Sequence, residues 1–201
     1  MAGSGDRDLR LFRRHFLMTE AVVGDLIDFQ QRRKHLLALK GFQRWQRRFG
    51  GCYGETTSAQ DLPDEVLYQL IQGENANGGA IEELVWGVLE AQEALRGKPR
   101  PPSRMESMDI TLFVLDQLRF EAMRRLDWIS EHSLAAVPLV EMIDAFSERY
   151  AASQHWTPPL AESHPRFAEY CAVFEGDRDV FLRRMIPELI ETFRKRLDMK
   201  H

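Results

Sequence analysis

The sequence predicts an all-α fold, a compact helical bundle-like arrangement of about seven or eight helices. Apolar residues recur at spacings of three and four along most of the chain, which is typical of amphipathic helices. Glycine and proline interrupt this pattern at intervals of about one helix length. No stretch shows the sustained apolar–polar alternation of a half-buried strand. With 44% apolar and 29% charged residues, the composition is that of a globular protein.

Two helices are predicted before residue 50. Leu9, Phe12 and Phe16 lie at helical spacing and define the first. A second, much longer helix is predicted over 20–49, because this stretch contains no proline and only two glycines that weaken it. Either Thr19 caps this helix or the helical pattern continues unbroken from the first one. The glycine pair at 50–51 permits positive φ angles and is expected to end this helix.

Two shorter helices follow and are predicted to pair as an αα-hairpin. Apolar residues at spacings of one, three and four predict the first over 62–71, with Gly73 at its end. The second, over 81–95, carries an apolar stripe opposite a row of glutamates and ends near Gly97.

The segment 97–104 contains three prolines and is predicted to be an extended connector between helices. We expect the whole chain, 1–201, to form a single all-α domain, with this connector as the place where a subdivision would fall. A surface loop within one domain explains the same prolines equally well.

The helix predicted over 108–129 has the widest apolar surface and is therefore expected to be central and the most buried. The apolar residues that mark this surface are Met108, Ile110, Leu112, Phe113, Val114, Leu115, Leu118, Ala122, Leu126 and Ile129. A further helix is predicted to end near Tyr150, and another to begin at Pro165 and end at Gly176. The last is predicted over 178–198, with a kink at its internal proline.

The cysteine content favours a reducing compartment. Cys52 and Cys171 are far apart in the sequence, so we expect both to be free thiols in a soluble, cytoplasmic protein, with Cys171 a small buried residue. Residues 1–14 lack the apolar stretch of a secretory signal. The longest nearly apolar runs, 110–115 and 134–140, are far too short for a transmembrane helix.

The most unusual feature is a pair of opposed charge blocks. Residues 29–54 contain seven lysines or arginines and no acid, whereas residues 55–95 contain nine acids and no lysine or arginine. On a helix, five of the cations in the basic segment 32–48 fall within an arc of about 100°. We call these five the basic surface, a candidate binding surface for an anion or a partner: Arg33, Lys40, Arg44, Arg47 and Arg48. Phe42, Trp45 and Phe49 lie on the opposite side of the helix and are predicted to be buried.

A basic helix of this kind could bind nucleic acid, an anionic membrane surface or an acidic protein. In the alternative interpretation, which we favour, the acidic segment 55–95 folds back and neutralises the basic surface. Charged helix faces are usually no more than solvated surface. A pI near 5.9 also argues against a dedicated nucleic-acid binder, since such domains are usually basic.

No pattern predicts a catalytic site, a cofactor or a metal site. The chain lacks a phosphate-binding loop, a dinucleotide-binding glycine motif and a nucleophile elbow. His155, His164 and Cys171 could supply three metal ligands, but their spacing is not diagnostic. Cys52 lies among glycines and could be a nucleophile, but a capping turn explains the same residues and no histidine base is identifiable.

The sequence therefore predicts a helical interaction, adaptor or regulatory protein that is not an enzyme, with another protein or a second copy of the chain as its partner. Two alternatives stay open. One is a small-ligand binder or an enzyme with a pocket between aromatic-rich helices. A carboxylate or phosphate ligand could also use one of two arginine pairs expected on helix surfaces, Arg124 with Arg125 or Arg183 with Arg184. The other is a binder of nucleic acid or an anionic surface through the basic helix 32–48.

Overall fold

The structure, a computed structural model, describes residues 29–73, 79–97, 103–148 and 157–199. Over these residues it contains eight α-helices, two short 3-10 helices and no β-strand, which confirms the predicted all-α fold. Helix α1 spans 29–49. The others are α2 (Asp64–Ile71), α3 (Ala80–Leu95), α4 (Arg104–Arg125), α5 (Leu139–Glu148), α6 (Phe167–Ala172), α7 (Arg178–Arg184) and α8 (Ile186–Asp198). The helix predicted from Leu9, Phe12 and Phe16 lies outside the described residues, as do residues 98–102 of the connector.

Helix α4 is central, as predicted. It contacts α2, α3, α5 and α8, and its side chains Ile110, Val114 and Leu118 are completely buried. Ser103 caps its N-terminus, because the side-chain oxygen accepts a hydrogen bond from the backbone N–H of Glu106. Among the described residues, no helix combines the length and the apolar character that crossing a membrane requires.

Helix α1 crosses α3 at a very short distance. A Cβ atom added to Gly41 would lie only 2.7 Å from Leu84 Cδ1, so this glycine lets the two backbones approach. Phe42 and Trp45 are fully buried beside the crossing and Phe49 is half-buried, which confirms the predicted apolar side of α1. The indole Nε1 of Trp45 donates a hydrogen bond to the carbonyl oxygen of Ala80 at 2.7 Å.

Helix α4 ends four residues before the predicted position. Asp127 adopts the left-handed conformation, with φ 59°. The N–H of Trp128 then donates to the carbonyl of Met123, and the N–H of Asp127 donates to that of Arg124. This pattern is a Schellman motif with aspartate in the position that glycine usually takes, and Ile129 consequently follows the helix rather than belonging to it.

The segment predicted as the last helix, 178–198, forms two separate helices in the structure. The prediction of one kinked helix over 178–198 was wrong, because α7 stops at Arg184 and α8 begins at Ile186. Pro187 lies in the first turn of α8, where its missing N–H needs no helical partner. The N–H of Met185, between the two helices, donates to the carbonyl of Leu182 and closes the end of α7.

Candidate interaction site

The five cations of the basic surface differ in their exposure and in the partners they contact. Arg33 forms an ion pair with Asp144 of α5 at 2.5 Å, and Arg44 forms one with Glu83 of α3 at 3.4 Å. The Asp144 carboxylate that pairs with Arg33 belongs to α5 and lies outside the acidic segment 55–95. Arg44 does find a partner in that segment, although its side chain is 68% exposed.

The other three members of the basic surface are exposed. No carboxylate of the described residues lies within 4 Å of Lys40, Arg47 or Arg48. The guanidinium of Arg48 instead lies over the ring of Phe49, 5.8 Å from its centroid. Arg47 and Arg48 also lie in the last turn of α1, where positive charge interacts favourably with the helix dipole.

A shallow groove of about 510 Å³ runs between α1 and α3 beside these residues. Both charge signs line it: Lys40, Arg44, Glu82, Glu83 and Glu90, together with Gln43, Gly79, Trp86 and Gly87. Three carboxylates therefore face two cations across the groove. This mixture lowers the attraction of this side of α1 for polyanions, although Arg44 is the one member of the basic surface that pairs with a described carboxylate of the acidic segment 55–95.

Helix α4 carries a group of exposed apolar side chains on one face. Met105, Met108 and Leu112 are 77%, 61% and 48% exposed. Their spacing of three and four places them on one face of the first three turns. We call these three residues the α4 stripe.

The prediction that Met108 and Leu112 face the core was wrong. The buried face of α4 is instead partly polar, with Ser107, Thr111 and Gln117 almost fully buried. Their side chains are satisfied locally: Thr111 donates to the Ser107 carbonyl at 2.7 Å, and Gln117 hydrogen-bonds His132 at 3.0 Å. Because polar side chains that find such partners can be buried, hydrophobicity alone assigned the wrong side of this helix.

A second groove, of about 510 Å³, continues from the α4 stripe. Leu112 belongs to both, and the groove is lined further by Asp109, Phe113, Asp116, Arg119, Phe146 and Arg183. The rings of Phe113 and Phe146 are stacked with their centroids 4.4 Å apart. Asp116 pairs with Arg119 at 3.6 Å and with Arg183 at 3.0 Å. An apolar centre is thus bordered by charges of both signs.

The most buried ionisable group is Glu121 in the last turn but one of α4. Its side chain has no exposed surface, and Arg124 and Arg125 each donate to its carboxylate at 2.7 Å. Burial raises the pKa of Glu121, but the hydrogen bonds from Arg124 and Arg125, together with the nearby His132 ring, outweigh burial and lower the pKa to about 2.

Arg125 connects this carboxylate to the chain before α2. It pairs with Asp64 at 2.7 Å and donates to the carbonyl of Leu62 at 2.8 Å. Glu121, Arg125 and Asp64 therefore form a cluster that holds the N-terminal end of α2 against α4. Because the Glu121 side chain has no exposed surface and Arg125 is used up by contacts within the fold, we assign these residues a structural role.

The candidate cysteine and histidine residues do not come together. Cys52 and Cys171 are both free and exposed, so the expectation that Cys171 is buried was wrong: its side chain lies on the outer side of the short helix α6. His164 is buried against Trp128, and its Nδ1 accepts a hydrogen bond from the Arg166 N–H. His155 lies outside the described residues, which contain no group of three potential metal ligands.

Arg183 and Arg184 are both exposed, and Arg183 pairs with Asp116 at 3.0 Å. The exposure of the α4 stripe was missed by sequence reasoning. Its signal in the sequence is the row of small and polar residues at helical spacing on the opposite side of α4. No family model, curated protein or solved structure matches this chain.

Proposed function

We propose that this protein is a helical interaction protein that binds an amphipathic helix of a protein partner on the α4 stripe and the adjoining groove. The observation that carries the proposal is the α4 stripe itself, three large apolar side chains exposed at helical spacing. Apolar side chains recurring at this spacing are what helix-in-groove recognition uses. Methionine suits such surfaces because its unbranched, polarisable side chain adapts to different partners.

The surroundings of the stripe support a protein helix as the occupant. Phe113 and Phe146 offer an aromatic surface beside Leu112, and Asp116, Arg119 and Arg183 surround it with charge. An apolar centre with a charged border resembles the anatomy of a protein interface. Because the border carries both signs, the expected partner helix has apolar anchors flanked by both acidic and basic residues.

The alternative of a nucleic-acid binder has less support. The basic surface shares its groove with three glutamates, and two of its five cations are already paired. A cytoplasmic location is also part of the proposal and is supported by the two free thiols.

Site-specific photo-crosslinking tests the proposal. A benzophenone amino acid replaces Met108 in the full chain, and in a matched control it replaces Glu131, which is exposed away from the stripe. After irradiation in the cells that naturally make the protein, we expect one discrete crosslinked partner from position 108 and none from position 131. The attached peptide, read by mass spectrometry, should belong to an amphipathic helix.

A second change separates specific docking from chance capture. Met105→Glu, made together with Leu112→Glu, should abolish the crosslink from position 108 while the thermal unfolding temperature stays close to that of the parent chain. A crosslink that survives both changes, a crosslink only to another copy of this chain, or none above the level at position 131 would each defeat the proposal.

A further inference from the structure

The outward side of α1 combines exposed apolar and basic side chains. On its inner side, Leu37, Phe42 and Trp45 are buried and fix α1 to the rest of the protein. On the opposite side, six exposed residues fall within an arc of about 80°. We call them the α1 outer face: Phe29, Arg32, Leu36, Leu39, Gln43 and Arg47. Its three apolar members are between 45% and 53% exposed.

The α1 outer face is long and protrudes from the molecule. From 29 to 47 it extends about 27 Å along the helix axis, at 1.5 Å per residue. Phe29, Leu36 and Leu39 line neither of the two grooves that border α1. The face therefore offers no groove to a partner helix, but a flat interface can contact it along its whole length.

The charge of the α1 outer face is positive, since residues 29–54 contain no acid. Acids of neighbouring elements border α1 on its flanks: three glutamates line its groove with α3, and Glu55 and Glu141 line a second groove beside Arg32. Glu141 pairs with Lys34 at 2.5 Å, and Arg47 lines neither groove. The residues outside the described ranges together carry eight lysines or arginines and six acids, so they add no net negative charge. An anionic surface therefore complements this face.

We propose that the α1 outer face binds an anionic lipid bilayer, with α1 lying in the plane of the interface. The side chains of Phe29, Leu36 and Leu39 enter the boundary between head groups and acyl chains, where interfacial helices bury their apolar side. Arg32 and Arg47 stay at the level of the lipid phosphates and bind them. The charged surface of the bilayer and the apolar layer beneath it thus match the two kinds of side chain on this face.

Both kinds of side chain are needed to select this partner. A nucleic acid attracts the arginines through its phosphates but leaves the three apolar side chains in water. A neutral bilayer accepts the apolar side chains but does not attract the arginines. The α4 stripe does not suit an anionic bilayer, because Asp109 and Asp116 line the groove that continues from it. The inference is therefore independent of the partner proposed for the α4 stripe.

Sedimentation of the full chain with lipid vesicles tests the proposal. One set of vesicles consists of phosphatidylcholine alone, and the other contains about 30% phosphatidylserine. At a salt concentration of about 0.1 M, we expect the anionic vesicles to bind the chain at least about tenfold more tightly than the neutral ones. This binding should weaken when the salt is raised to about 0.5 M, because salt screens the arginines from the lipid charge.

Variants separate the apolar contribution from the basic one. Leu36→Gln, made together with Leu39→Gln, should weaken binding at least about tenfold, because two large apolar side chains no longer leave water. Arg47→Glu should weaken binding at least about fivefold, the change expected from one cation at an anionic surface. Arg184→Glu makes the same change of charge at an exposed position of α7 and should bind normally. Because all four positions are exposed, each variant should unfold at the temperature of the parent chain.

Four results would overturn the inference: no preference for anionic over neutral vesicles, unchanged binding of the Leu36→Gln, Leu39→Gln chain, equal effects of Arg47→Glu and Arg184→Glu, or tighter binding to double-stranded DNA than to the anionic vesicles. The Met105→Glu, Leu112→Glu chain should bind the anionic vesicles as the parent chain does. Failure at the α1 outer face and failure of the α4 proposal are therefore distinguishable.

Discussion

Gly87 of α3 and Lys40 of α1 meet backbone to backbone. A Cβ atom on Gly87 would lie 2.5 Å from the carbonyl oxygen of Lys40 and 2.9 Å from the Cα atom of Gly41. Main-chain atoms cannot move aside as the end of a flexible side chain can. The two helices can therefore cross here only while position 87 has no side chain.

Gly87→Ala should lower the free energy of unfolding by about 1–3 kcal/mol, because α1 and α3 must separate to admit the methyl group. The loss should occur although alanine is intrinsically about 1 kcal/mol better than glycine inside a helix. Urea unfolding measures the change. Gly176→Ala is the control, since nothing lies within 4 Å of the Cβ atom added there and stability should hardly change. Equal stability of Gly87→Ala and the parent chain would contradict the close crossing.

The buried carboxylate of Glu121 should make stability depend on pH in acid. Its pKa is lowered in the folded chain from an ordinary 4.5 to about 2. A carboxylate with a lowered pKa stabilises the fold above its unfolded pKa, and this contribution is lost as the pH falls from about 4.5 to about 2. Its size is about 3 kcal/mol.

Glu121→Gln isolates this contribution. At neutral pH the variant should be less stable than the parent chain by about 3 kcal/mol, and the difference should shrink as the pH falls from 4.5 towards 2. Urea unfolding at a series of pH values gives the comparison, with Glu131→Gln as an exposed control that should change little. A difference that stays constant with pH would show that the Glu121 charge does not stabilise the fold.

The two sides of α4 should respond differently to truncation. Leu118 is completely buried, so Leu118→Ala should cost about 2–5 kcal/mol of stability. Leu112 is 48% exposed, and Leu112→Ala should cost less than about 1 kcal/mol. Denaturant unfolding of the purified variants measures both changes in stability. A large loss of stability in Leu112→Ala would show that the α4 stripe is buried in an interface or in the core.

The ion pair between Arg44 and Glu83 should contribute little. Arg44 is 68% exposed, so a double-mutant cycle of Arg44→Glu and Glu83→Arg should give a coupling of about 0–1 kcal/mol that weakens as salt is added. Arg47→Glu is the matched single change, because Arg47 has no carboxylate partner among the described residues and should show no coupling with Glu83. A coupling of several kcal/mol would mean that this pair is shielded from solvent.

The sequence alone determined the helical class, the positions of most helices and the buried side of α1. These follow from local rules: the spacing of apolar residues, the absence of proline over 29–49, and glycines with positive φ at 50–51 and 97. It also identified the basic surface as a set of residues on one side of α1. Such features depend on neighbours within a few residues, so they can be read without the fold.

The tertiary structure alone decided which face of α4 is buried and which partners the charges find. Met108 lies outside and Glu121 inside because hydrogen-bond partners for the polar face of α4 outweigh hydrophobicity. Arg125, one turn further along α4, pairs with Glu121, while His132 and the chain before α2 come from outside the helix. Arg33 reaches Asp144, which lies more than a hundred residues away and outside the segment 55–95. The energy of a buried polar group depends on whether a partner comes within hydrogen-bonding distance, and only the three-dimensional packing determines that distance.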